Sequence, residues 1–351
     1  MNRGSSVIDL GATVGGRLVT TIDSRVLEQA TIRRRAAESI VRAIASRLPA
    51  GSLRFPIESL AATPHAHGLA AFSAGHLNPE RGELLLSRLL EMPATVVERV
   101  NGNHISLLQD SALLPTAETR SAQVVLAALE ESPGTDALDC QVGRIIAAAG
   151  PAWHEFVTIV RAVTFVEIEG RPGLPYFSGS TSDFWGAIHL SVPRSDAVLA
   201  EALTHEAAHL WLMLAEDLEP LCADAWRGTE WDSPWRDDPR PLGGIVHGTF
   251  VFSCASLALA ALVRAGVAGD EVPARIARIT AQVEAAAREC ERSGALAPLG
   301  SSVVSRALER ICQARAVISH DLVNDARLRV AQEQECKRSR RNAAAGTNGH
   351  A

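Results

Sequence analysis

Apolar residues recur at spacings of three and four through VLEQATIRRRAAESIVRAIASRL, behind the candidate caps Asp23 and Ser24, which predicts a first helix ending near Leu48. Residues 50–80 are rich in Pro, Gly, Ala and His without a clear period, and a helix resumes at Pro79 through ERGELLLSRLLEM until Pro93. Two more helices are expected at 117–131 and 137–149, parted by Ser132-Pro133-Gly134, and another from Pro151 to about Val163. The pattern then changes. Thr164–Ile168 (TFVEI) and Trp185–Val192 (WGAIHLSV) read as half-buried strands, joined by a Gly, Pro and Ser-rich connection over 170–182. Ser195 or Asp196 caps the next helix, AVLAEALTHEAAHLWLMLAEDLE, which stops at Pro220. A long Trp, Asp and Pro-rich loop fills 220–243, and loops of that length inside a domain are usually functional. Helices are expected again over 244–265, about 271–291 and 301–334.

The two ends carry no such pattern. Residues 1–20 read as a disordered leader and CKRSRRNAAAGTNGHA as a solvated, disordered tail, 335–351. Between them lie a helical N-terminal region, 21–160, and a second region, 161–334, that holds the candidate chemistry. No internal repeat is visible.

Composition narrows the function classes. Lys and Arg total 34 against 40 Asp and Glu, a formal charge of −6, which argues against a broad basic face for nucleic acid. The longest quiet apolar stretch, Phe250 to Val263, falls short of the roughly 20 residues that cross a bilayer, so no membrane span is expected. The first residues lack a basic, apolar and cleavage-site sequence, and the expected location is cytoplasmic. Six scattered cysteines form no C-x-x-C pair and read as reduced thiols. Trp211, Trp226, Trp231 and Trp235 gather large rigid side chains around the polar loop.

His205-Glu206-Ala207-Ala208-His209 is an H-E-x-x-H sequence inside a predicted helix, which sets two imidazoles one turn apart on one side. Buried among Leu203, Leu210 and Leu214, neutral imidazoles need partners, and a divalent metal supplies both. A third ligand must come from downstream. Glu216, Glu219, Asp237, Asp238 and His247 qualify, and His247 stands out because GGIVHG lets a second helix approach closely. His189, on the strand before the clamp helix, is a weak candidate for a peptide groove, and Trp235 another. His65, His67 and His76 lack clamp spacing and read as structural or surface residues.

Taken together, GAIHLSV, EALTHEAAHLWL and SPWRDDPRPLGGIVHGTFVF, with a weaker match at FPIESLAATPHAHGLAAF, resemble the HExxH-motif peptide-modifying proteins of ribosomal peptide natural-product pathways, the α-ketoglutarate-dependent peptide β-hydroxylases. The resemblance covers about residues 55–310. It implies that His205, His209 and His247 hold Fe(II), that α-ketoglutarate (2-oxoglutarate) chelates the iron, that dioxygen is co-substrate, and that a ribosomally made precursor peptide is hydroxylated at a side-chain β-carbon. It also implies an arginine for the distal carboxylate. Arg236 and Arg240 both offer the required fork, or pin the loop by pairing with Asp237 or Asp238. The expected fold class is α+β, mostly helical, with a zincin-like HExxH helix beside a small antiparallel sheet. Tryptophans 226, 231 and 235 are expected to wall the site.

Three imidazoles suit Fe(II) and Zn(II) alike. A zinc metallopeptidase would use Glu206 as general base on metal-bound water, whereas an iron oxygenase needs Glu206 only to orient ligands or water. A noncatalytic peptide-binding scaffold, with the metal stapling helices, is the third alternative.

Overall fold

Most of the amphipathic runs fold as helices in this computed structural model, which describes residues 21–49, 52–76, 79–92, 106–107, 113, 126–128, 135–153, 156, 159–168, 177–192, 195–223 and 230–347. The N-terminal elements are α1 (Thr21–Ala45), α2 (Ile57–Leu60), α3 (Pro64–Ser73) and α4 (Pro79–Glu91). Helix α3 lies in the stretch that shows no period, because it is buried over Pro64 to Leu69 and therefore has no polar stripe to reveal it. Thr63 caps it, its hydroxyl accepting from Ala66 N at 3.4 Å. Leu60, Leu69, Leu85 and Leu89 form a satellite core there with Phe184.

Short strands β1 (Ser106–Leu107) and β2 (Leu126–Ala128) precede α5 (Thr135–Ala149) and a 3-10 turn, Gly150–Trp153. The helix expected over 117–131 is corrected at its described positions, since Leu126–Ala128 pairs antiparallel with Val166–Ile168. The helix expected from Pro151 to Val163 is likewise corrected at its described positions, by the 3-10 turn and by the start of β3 (Ala162–Ile168). Burial of Phe156, Ile159, Val160 and Val163 supplies apolar spacing there without helical backbone.

Strands β4 (Ser178–Ser180) and β5 (Ala187–Leu190) complete a five-stranded sheet of path β1-β3-β5-β4, with β2 also on β3. The outer pairs β2–β3 and β4–β5 are antiparallel as expected, while β1–β3 and β3–β5 are parallel. Strand β5 is thus internal and fully buried, and the short β4 takes the edge. Ser-Gly-Ser carries no apolar alternation, so nothing in its pattern marks β4 as a strand.

Helix α6 (Asp196–Glu216) follows, capped by Ser195 Oγ, which accepts from Val198 N at 3.3 Å. The loop beyond it contains a small ladder of β6 (Glu230–Trp231) and β7 (Arg240–Pro241). Helices α7 (Leu242–Arg264), α8 (Val272–Ser293), α9 (Pro298–Ala314) and α10 (His320–Thr347) then pack together. Helix α7 has the length and apolarity of a bilayer-crossing helix, with mean hydropathy 1.9 over its best 18-residue window, and 72% of that window is buried inside the fold. A helix hydrophobic all round belongs in a core, and α7 lies between α6, α8 and α9. The single helix expected over 301–334 is two, broken at a 3-10 turn over Arg315–Val317. Ser319 Oγ accepts from Leu322 N to restart the chain, and α10 folds back along α8. The tail expected to be disordered from 335 instead continues α10 through Thr347. The leader, 1–20, and Trp226 lie outside the described residues.

Candidate functional site

Helix α6 is buried on nearly every side. Leu203, Leu210, Trp211, Leu212 and Leu214 are sealed in the main core, leaving one partly open stripe at Glu201, His205, His209 and Met213 that ends on exposed Glu216. Steps of four keep these residues on one face, so the H-E-x-x-H spacing places both imidazoles along the line that stays partly open beyond the helix's first turn. Trp153 Nε1 donates to Thr204 Oγ1 at 3.0 Å inside the core and fixes the helix's rotation from the opposite side.

Along that stripe the side chains form a chain of contacts. His205 Nε2 and His209 Nε2 stand 3.2 Å apart, His209 Nδ1 lies 3.1 Å from His247 Nδ1, and His247 Nε2 lies 2.8 Å from Glu216 Oε2. One donor is fixed at its end. A carboxylate oxygen accepts, so His247 Nε2 donates to Glu216, and between the facing Nδ1 atoms of His247 and His209 one ring donates and the other accepts. Burial lowers the pKa of His205 and, more strongly, that of His209, where the neighbouring His205 and His247 add to the effect. Neutral rings are the form a metal requires.

The pair fits a shared ion. Nitrogens 3.2 Å apart would subtend about 100° at an ion about 2.1 Å from each, an ordinary coordination angle. His247 joins the cluster but aims at the other nitrogen of His209, so it does not point at the same place. Among the described residues, no three His, Cys, Asp or Glu side chains converge as a ready metal cage. Two of the three expected ligands therefore fit, and the third stands behind one of them.

Glu206 points elsewhere. Ser178 Oγ donates to its Oε1 at 2.6 Å and Ser180 Oγ to its Oε2 at 2.8 Å, so the edge strand β4 holds both carboxylate oxygens. The carboxylate is buried, and two donors meet the demand that burial creates. On the open stripe, Glu201 binds Arg275 of α8, which donates from Nε at 2.8 Å and from its terminal nitrogen.

Helix α7 supplies the facing wall. Gly244, His247, Gly248 and Phe252 share its exposed side, and Phe252 meets His205 edge-to-face at 4.6 Å between ring centroids. Trp235 stacks on Phe252 at 5.0 Å and 12°. A Cβ on Gly248 would come within 2.6 Å of that indole, so the glycine is what admits it. Trp235 thus packs against α7 through Phe252 and Gly248.

The two arginines separate. Arg236 Nε donates to Asp238 Oδ1 at 3.0 Å, and Arg240 pairs with Asp238 Oδ2 at 2.9 Å, so one carboxylate pins both. Arg236 holds the Asp238 carboxyl below its ordinary pKa, with Arg240 adding to the effect. Arg236 is largely exposed, whereas Arg240 lies just before α7, seven residues ahead of His247, with a buried Nε that has no hydrogen-bond partner among the described residues. His189 is corrected: it is fully buried on the internal strand β5, its Nε2 2.9 Å from Leu113 O, and faces no groove. His65 and His67 are buried, and His76 is exposed beside Asp183.

Ser178, Ser180, Glu201 and Arg275 are absent from the sequence-derived site. Three of them left a signal: Ser178-Gly179-Ser180 puts both hydroxyls on one strand face, and Glu201 precedes His205 by one helical turn. No protein-family model matches the chain, and no curated protein shows significant similarity to it.

Proposed function

We propose that the chain is an Fe(II) and α-ketoglutarate-dependent hydroxylase of a ribosomally made precursor peptide, with a zincin-like helix carrying its metal clamp. The observation that carries this reading is the pair of Nε2 atoms 3.2 Å apart on the one open stripe of a buried helix. His205 and His209 would hold the ion, and His247 with Glu216 would fix the His209 ring. Bound there with α-ketoglutarate and dioxygen, iron would supply the oxidising chemistry. The chain's own part is to keep both imidazoles neutral, to place Trp235 and Phe252 against the ion as a water-excluding wall, and to offer Arg240 to an anionic co-substrate.

The setting of Glu206 favours an oxygenase over a peptidase. A general base needs a lone pair turned towards metal-bound water, and both oxygens of Glu206 are engaged by β4. Glu206→Gln should then leave measurable turnover, which a zinc peptidase would not survive.

Anaerobic titration of the metal-free protein with Fe(II) and then α-ketoglutarate tests the proposal. A visible charge-transfer band in the parent, lost in His205→Ala, is the expected result. Absence of the band, with tight Zn(II) binding and cleavage of a peptide, would replace the hydroxylase by the metallopeptidase.

A further inference from the structure

We infer that Lys337, near the end of the last helix, is a positioning residue for the wall of the histidine cluster. Its Nζ donates to the carbonyls of Arg236 at 2.8 Å and Ser233 at 3.4 Å, which flank Trp235 in the chain, and lies 3.5 Å from Asp237. The Lys337 side chain is only 17% exposed, so its stem is packed and its three donors are directed at the loop. One helical turn carries the neighbours. Arg338 Nε donates to Asp232 Oδ2 at 3.0 Å, and Arg341 reaches Asp232 Oδ1.

The loop needs these donors. Among the described residues no backbone–backbone hydrogen bond holds 232–239; the backbone carbonyls of Ser233, Pro234 and Arg236 are met by side chains instead, Pro234 O by Gln282 at 3.0 Å. Carbonyls in a half-buried loop lose water and must be paired. Lys337 closes the segment on both sides of Trp235, and Trp235 in turn lies on Phe252, which touches His205. The last turns of α10 thereby set the position of an aromatic wall about 100 residues upstream in sequence, by contacts that a solvated basic tail would not make.

The test uses the full chain with Lys337→Met, which keeps the stem and removes the donors, and Lys337→Arg, which restores charge and donors. Hydrogen–deuterium exchange at the Trp235 amide, which donates to Ser233 Oγ at 3.3 Å, should rise about tenfold or more in Lys337→Met with α7 and α8 unchanged, and tryptic cleavage after Arg236 should appear. Lys337→Arg should recover part of the protection. Co(II) affinity, read from the visible spectrum, should fall about tenfold in Lys337→Met, as for the loss of an outer support of a metal ligand. Unchanged exchange in the loop, or a change that spreads equally over α7 and α8, overturns the inference. The cobalt arm alone rests on the proposed metal clamp: a parent that binds no Co(II) refutes that clamp, while the exchange arm still decides the role of Lys337.

Discussion

An imidazole sealed from water resists a proton, and His67 is sealed against the edge of Trp185, 5.1 Å between centroids, with only 6% of its surface exposed. Burial pushes its pKa from an ordinary 6.5 to about 3, and the charges of Arg33, Arg161 and Arg34 oppose protonation further. The unfolded chain takes up a proton that the folded chain refuses. His67 therefore costs no stability above about pH 6.5 and an increasing amount as the pH falls from there towards 3, about 2 to 3 kcal/mol by pH 4.5. Urea unfolding at pH 7 and pH 4.5 should show His67→Gln losing less stability than the parent by that amount, and equal losses would show the site is wetter than it looks. His247 belongs to the same scale. As the outer partner of His209, it should cost about 10- to 100-fold in metal affinity when changed to Ala, and Glu216→Gln a smaller part of that. Competition with a chromogenic chelator gives the number, and a loss as complete as that of His205→Ala would mean that His247 turns to bind the ion itself.

At the scale of elements, the H-E-x-x-H helix was legible because its motif and cap are local in the chain: Ser195 caps it and His205 and His209 share a face, as their spacing requires. What the sequence concealed depends on partners far away in the chain. Strand β4 is three residues without apolar alternation, made a strand by pairing with β5. Helix α3 hides because burial erases its polar face, and the end of α10 hides because its stability comes from Asp232 and the Trp loop rather than from its own apolar content. The join of β4 to α6 is open to experiment. With Ser178→Ala and Ser180→Ala together, a buried carboxylate loses both serine donors in one step, which should cost about 3 kcal/mol. In a Glu206→Leu background the same pair of changes should cost almost nothing, and denaturant midpoints of the four proteins would expose any lack of coupling.

The whole molecule turns on α7, which packs on the H-E-x-x-H helix α6 on one side and on α8 and α9 on the other, so the position of His247 depends on how tightly the C-terminal helices close. That closure has a narrow point. The chain leaving α6 lies against the start of α9: Ala297 N donates to Leu221 O at 3.0 Å, Ala223 N donates to Ala295 O at 2.9 Å, and a Cβ on Gly300 would overlap the Leu221 carbonyl. Backbone cannot give way there as a flexible side chain would, so Gly300→Ala must part α9 from the end of α6 and should destabilise the protein by about 1 to 3 kcal/mol. Gly143 supplies the contrast. It lies exposed within α5 with open space around its missing Cβ, and Gly143→Ala should stabilise by about 0.5 to 1 kcal/mol through backbone entropy alone. Thermal unfolding of the two variants should move in opposite directions, and only Gly300→Ala should weaken the proposed metal binding, because only it loosens the frame that brings α7 to the histidine pair. Equal metal affinity in both would separate the helical frame from the site and leave the cluster dependent on α6 and the Trp loop alone.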